Sequence, residues 1–317
     1  MLGVDAVKIQ NIFTATLPCS AILSKREIVV FTYLDHLKQE QWAEASPLPG
    51  RSQETIQDVL DALNRFSKGI SAPLPPSLQF ALDTTLLPPF EKPLKICRLL
   101  SGTPQQILKI AERLYQEGAT HVKVKVADIK IQESVALIKE LKHFFRLRID
   151  SNRSWGMEEA KVIMHNFSPE DPSIEFFEEP LRIPHELRNF PLPIALDESL
   201  AEKSIDHFLS FPMLRALVIK PSLLGGIAAC EQWMSICQQR HLQYVWSSAF
   251  ESGIGILQLA RLAAQYPSSN SPPGFDSYSF LSQDLLATPL LLHGGTLTPP
   301  EQLVMRRNLL CSLPCPV

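Results

Sequence analysis

The chain carries no surplus of positive charge: 30 Lys and Arg stand against 33 Asp and Glu, a formal net charge of −3. A protein that neutralises a phosphate backbone needs such a surplus, so nucleic acid is not an expected partner. No apolar run approaches the ~20 residues that a bilayer-spanning helix requires, so no membrane span is expected. The first ten residues, MLGVDAVKIQ, contain an Asp and no basic segment ahead of an apolar core, which is not the pattern of a secretory signal. The six cysteines (Cys19, Cys97, Cys230, Cys237, Cys311 and Cys315) form no CxxC pair and no Cys/His ligand spacing. They read as free thiols in a reducing, cytoplasmic compartment. No glycine-rich phosphate loop follows an early strand, and there is no low-complexity segment.

What is present is an ordinary globular balance, 45% hydrophobic and 20% charged over 317 residues. The first hundred residues differ from the rest. Two β-rich runs, 7–17 and 26–34, and a third over 41–48 precede a loop at 48–55, a helix to about Phe66 and a second helix within 75–87. Strands followed by helices predict an α+β unit over 1–94.

From residue 95 strands and helices alternate. Thr103 caps a helix with Pro104 at its first position and Gly118 as its stop. HVKVKVA (121–127) is the next strand, then a helix over 131–145, a strand at 147–152 and a helix at 156–167. IEFFEEP, PIALDES, LRALVIKP and LQYVWSSA continue the series, each apolar and each ending in polar groups. The polar strand ends at 125, 150, 178, 197, 220, 247 and 274 are separated by 19 to 28 residues, about one βα unit. The expected fold is α/β: a (β/α)7β TIM-like barrel over 95–285 under the N-terminal α+β capping domain, with 286–317 returning to the cap. A doubly wound open sheet is the rival, disfavoured by the missing phosphate loop and by functional residues at nearly every strand end.

Three successive strands deliver an acid at their C-terminal ends: Asp150, Glu178 and Asp197. Three carboxylates converging at a barrel mouth repel one another unless a cation joins them, and hard oxygen donors suit Mg²⁺ or Mn²⁺. Lys123 and Lys125 alternate within one strand and so share a face, while Lys220 ends another. An edge strand would explain the first two cheaply, but a third ammonium at the same mouth favours a site. Lysines beside a metal can serve as a base for a proton next to a carboxylate and can stabilise the charge its removal leaves.

With KVK at 123–125, RIDSNRSW at 148–155, EEP at 178–180, LDES at 196–199, IKP at 219–221, SSAFES at 247–252 and PGFD at 273–276, the chain resembles the enolase superfamily. Within it, the resemblance is closest to the o-succinylbenzoate synthases of menaquinone and phylloquinone formation, over about residues 5–300. The resemblance implies Mg²⁺ on Asp150, Glu178 and Asp197, Lys125 as acid/base, Lys220 stabilising an enediolate, and Lys123 neutralising the carboxylate. Arg148, Asn152, Ser247 and Gly274 match substrate-binding positions, and 48–55 a loop closing over the substrate. The implied reaction is syn-dehydration of a small-molecule carboxylate, 2-succinyl-6-hydroxy-2,4-cyclohexadiene-1-carboxylate, to 2-succinylbenzoate, by a monomer or dimer. Arg51 stands where related enzymes often have a hydrophobic residue. The alternatives are an N-acylamino acid racemase or dipeptide epimerase on the same lysines, and a catalytically silent barrel acting as a binding protein. His121 and His293 are read as structural or solvated.

Overall fold

The computed structural model describes residues 7–20, 23–202, 205–268 and 271–313; most of the segment read for a signal peptide, and Cys315, lie outside the described residues. The capping unit opens with three antiparallel strands, β1 (Ile9–Pro18), β2 (Lys25–Leu34) and β3 (Glu40–Ala45). Helix α1 (Ile56–Ser67) starts where the hydroxyl of Thr55 accepts from Asp58 N and the Asp58 carboxylate accepts from Thr55 N, satisfying two end donors. Helix α2 (Pro76–Thr84) follows, then β4 (Leu94–Lys95).

The barrel strands are β5 (Arg98–Leu100), β6 (His121–Lys125), β7 (Arg146–Asp150), β8 (Ile174–Glu178), β9 (Ile194–Leu196), β10 (Leu214–Ile219) and β11 (Gln243–Trp246). Between and after them run α3 (Pro104–Gln116), α4 (Ile131–Leu141), α5 (Met157–Asn166), the one-turn α6 (Ile205–Phe208) and α7 (Pro221–Leu224), α8 (Ile227–Gln239) and α9 (Gly253–Gln265). The seven strands form one parallel sheet in sequence order. After β8 the expected helix is replaced by a 3₁₀ turn at Pro184–Asn189. Pro184, Pro191 and Pro193 crowd this connection, and each removes a backbone donor that a longer helix needs.

An eighth segment closes the sheet with very few bonds. Gly274 N donates to Trp246 O (2.8 Å) and Ser248 N to Gly274 O (3.0 Å) on one side. On the other, Cys97 N donates to Pro273 O (2.8 Å), and the Asp276 carboxylate accepts from Leu99 N and Arg98 Nε, both at 2.8 Å. Residues 273–276 therefore stand in for the last strand of a (β/α)7β barrel.

Two short strands, β12 (Leu291–His293) and β13 (Thr296–Thr298), join β4 in a small sheet, and β14 (Cys311–Leu313) pairs with β1. Val122, Val124 and Val126 are fully buried in the main apolar core, which also holds Ile107, Leu114 and Ile138 of the flanking helices. Each such valine contributes about 1.5–3 kcal/mol by leaving water. That outward packing turns Lys123 and Lys125 into the barrel. The cap rests on the barrel through α2, whose Asp83 carboxylate accepts from Ile227 N (2.8 Å) at the start of α8. Gly226 there has φ +88°, and a Cβ would collide with that carboxylate, so only glycine fits.

Candidate active site

Strand register sets the site. Lys125 of β6 lies beside Asp150 of β7, and Asp150 beside Glu178 of β8, so the three occupy one row at the strand ends. Asp197 directly follows β9, and Lys220 directly follows β10. β6 is the second and β10 the sixth staves of an eight-segment ring, so Lys125 and Lys220 stand opposite each other with the three acids on the arc between. Lys123 starts one row lower, beside Arg148, and its long stem carries the ammonium up to the acids.

There Lys123 Nζ meets Asp150 Oδ2 at 2.8 Å and Glu178 Oε1 at 2.6 Å. Lys125 Nζ donates to Asn152 Oδ1 (3.0 Å) and lies 3.4 Å from Asp150 Oδ2, while Lys220 pairs with Asp197. Among the described residues, no three acids close around a common point as a ready-made cation cage. Their partners are instead the ammonium groups of Lys123, Lys125 and Lys220. Burial pushes Asp150 up, but Lys123 and Lys125, with hydrogen bonds from Lys123 and Asn152 N, hold it down at about 2. Burial raises Glu178 to about 7, helped by the neighbouring Asp150 and Asp197 and opposed by Lys123. Burial alone would lower Lys123, yet Asp150, Glu178 and Asp197 raise it overall. The three carboxylates offer hard oxygen donors at the ends of neighbouring strands, the donor chemistry that suits a hard divalent cation.

Asp150, Asn152, Asp197, Lys123, Lys125, Lys220, Ser247 and Gly274 all line one cavity of ≈ 190 Å³. Glu178 lies just off its wall, 1% exposed, joined to it by Lys123. Arg148 is not in the wall. Its side chain is buried in the barrel interior, paired with Glu175 and set 5.5 Å over the Phe176 ring, so it sits beneath the site rather than against a bound molecule. His121 lies one row lower on β6, beside Arg146 and 4.0 Å from Glu175, and His293 is mostly exposed, 3.8 Å from Glu117.

The cap supplies the opposite wall through Leu48, Pro49 and Arg51, and Arg51 Nη2 reaches Glu198 Oε1 at 2.6 Å across the mouth. Sequence reasoning passed over Glu198 and Glu179. Glu179 is fully buried with φ +40°, and its carboxylate accepts from Asp197 N (3.0 Å) and Ser199 N (2.8 Å) and pairs with Arg153 (3.0 Å). It holds the turn that presents Asp197. Its signal was the doubled acid at the end of a strand otherwise too apolar to expose one.

The enolase C-terminal domain-like family matches residues 106–303. The chain belongs to the enolase superfamily. An o-succinylbenzoate synthase of Yersinia enterocolitica is 33% identical over 261 residues, 77% of this chain and 80% of that one, which places this member in the o-succinylbenzoate synthase family. Among solved members of the superfamily, the o-succinylbenzoate synthase of Thermosynechococcus elongatus BP-1, complexed with Mg in its active site, is 26% identical. It covers 89% of this chain and 96% of its own with a TM-score of 0.70. The L-Ala-D/L-Glu epimerase of Bacillus subtilis, 19% identical, shares the superfamily fold with a TM-score of 0.70 over 92% of this chain and 96% of its own.

Proposed function

We propose that this chain is a carbon–oxygen lyase that dehydrates 2-succinyl-6-hydroxy-2,4-cyclohexadiene-1-carboxylate to 2-succinylbenzoate. The observation that carries the reading is the pair of opposed lysines, Lys125 and Lys220, with Asp150, Glu178 and Asp197 on the arc between them. These three acids would hold Mg²⁺, with Mn²⁺ as a substitute, and the bound cation supplies positive charge at the substrate carboxylate. Lys125 Nζ takes the proton from the carbon beside that carboxylate and returns it to the departing hydroxide on the same face, so water leaves and the ring becomes aromatic. Lys220, from the opposite side, offsets the negative charge that develops, and Lys123 neutralises the carboxylate end. Asn152, Ser247 and Gly274 fix the substrate in the cavity, and Arg148 supports them from below.

The chain division 1–94, 95–285 and 286–317 belongs to the same reading, as do a monomer or dimer and, with free thiols at the described cysteines, a cytoplasmic location. Among the described residues no helix is long and apolar enough to cross a membrane. A second reading rests on the same opposed lysines, because racemisation needs a base on each face of the α-carbon. The test is turnover of the cyclohexadiene carboxylate beside a panel of N-acylamino acids in deuterated solvent, with and without Mg²⁺. Dehydration that outpaces α-deuterium incorporation supports the synthase. The reverse order assigns the racemase.

A further inference from the structure

Arg26, on β2 of the cap, is completely buried, yet it does not line the cavity and has no carboxylate within 4 Å among the described residues. A guanidinium in such a place is costly unless its donors are used. Beside a longer contact from Nη1 to Glu27 O (3.5 Å), they are used on three carbonyls from two sides of the molecule. Two of its nitrogens donate to Ser46 O and Pro47 O, and Nε donates to Phe250 O at 3.2 Å.

Those carbonyls are the roots of the two lips of the mouth. Ser46 and Pro47 lead into Leu48, Pro49 and Arg51 on the cap side, a turn tightened by Arg51 N and Ser52 N donating to Leu48 O. Phe250 ends the barrel-side run Ser247–Phe250, which lines the facing wall, and it is held at φ +63°, a conformation costly for an aromatic residue. Two buried acids supply the counter-charge through space. Glu44 accepts from Ser46 Oγ (2.7 Å), Ser252 N (3.1 Å) and Gly255 N (3.0 Å) at the start of α9, and Glu251 accepts from Ser222 Oγ (2.7 Å) and Ala249 N.

We propose that Arg26 is a positioning residue that sets the width of the substrate mouth, its rigid fork fastening the cap lip at Ser46–Pro47 to the barrel lip at Phe250. The arrangement asks for arginine rather than lysine, because a planar fork reaches several carbonyls at fixed angles and an ammonium does not. The inference rests on the cavity being the substrate site. It makes Arg26 act on substrate enclosure and leaves the metal and lysine end of the barrel alone.

The experiment is Arg26→Lys in the full chain, with three readouts. KM is measured on whichever substrate of the panel the wild type turns over, Mg²⁺ affinity by titration of intrinsic fluorescence, and tryptic cleavage after Arg51 by mass spectrometry. The expected result is a KM raised about tenfold with a smaller fall in kcat, cleavage after Arg51 faster by a similar factor, and Mg²⁺ affinity within about twofold of wild type. Activity that falls only with the folded fraction, at unchanged KM, overturns the proposal; so does an equal loss of Mg²⁺ affinity, which would mean collapse of the whole site. Should Arg26→Lys fail to fold, Arg26→Met with Glu44→Gln removes one charge of each sign and is read by the same criteria. A wild-type chain that turns over no substrate of the panel removes the reading of the cavity, and with it this proposal, before any variant is compared.

Discussion

Two layers of charge lie one above the other inside the same barrel. The upper layer holds Lys123, Lys125 and Lys220 against Asp150, Glu178 and Asp197, with the lysine side chains 17%, 23% and 20% exposed to the cavity. The lower layer holds Arg148 against Glu175, both 2% exposed, with His121 beside them and Ser271 linking Glu175 to Gln243. Arg148 and His121 come from the same alternation that turns Asp150, Lys123 and Lys125 inward, whereas Glu175, three residues before Glu178, joins them through the register shift between β7 and β8. The difference is access. Charges that can reach a ligand retain work to do on it, whereas charges sealed one turn of the pleat lower can only support what stands above them.

The largest effect expected is on the upper layer. Lys125→Ala should lower kcat by about 10³-fold or more with the thermal midpoint nearly unchanged, as followed by steady-state kinetics and circular dichroism. Substantial turnover in that variant would erase the distinction between the layers. Chelation with EDTA should likewise abolish turnover, and Mg²⁺ should restore it; full activity in excess chelator would leave the three acids without their assigned role.

The lower layer should answer in stability instead. Arg148→Met strands a buried carboxylate and is expected to cost about 3–5 kcal/mol in urea unfolding, while Arg148→Met with Glu175→Gln recovers most of it. If the single variant stays stable but loses substrate affinity, Arg148 belongs to the upper layer after all.

A subtler contrast is in pH. Burial lowers His121 below its ordinary value, with Glu175 opposing and Arg148 and Arg146 assisting. A depressed folded-state pKa means that the unfolded chain binds the proton first. His121 therefore stabilises the fold above the ordinary histidine value of about 6.5, and that contribution is lost as pH falls through the lower, folded-state value. The thermal midpoint should drop on acidification, and His121→Gln should flatten that slope. The smallest expected signal is chemical. At pH 8, iodoacetamide should label exposed Cys311 far ahead of buried Cys97 and Cys237, whose thiols burial pushes up to about 12.

Much of the barrel was legible in the sequence because its strands are short apolar runs closed by polar residues at nearly constant intervals. The acids and lysines were legible for the same reason, since each is an expensive residue at a strand end. Depth was not legible. Arg148 and Asp150 share one face of β7, and periodicity alone says that both point inward, not that one lines the cavity and the other lies beneath it. The 3₁₀ turn after β8 departs from the βα rhythm because Pro184, Pro191 and Pro193 deny a longer helix its backbone donors. Arg26 was hidden because its partners are backbone groups along the chain, and no local pattern records those, while Glu179 showed only as the second acid of the pair that ends β8.

The pairing of β14 with β1 has a bearing on biosynthesis. The capping sheet draws its neighbouring strands from opposite ends of the described chain, with Leu313 beside Ile12 and Cys311 beside Thr14. On the ribosome, β1 emerges ahead of the barrel strands, and its outer edge stays open until every one of them has been translated. During that interval an unpaired edge is free to find the wrong partner. Because β14 follows the barrel in the chain, the cap sheet is completed only when a segment made after the barrel strands returns to one made before them.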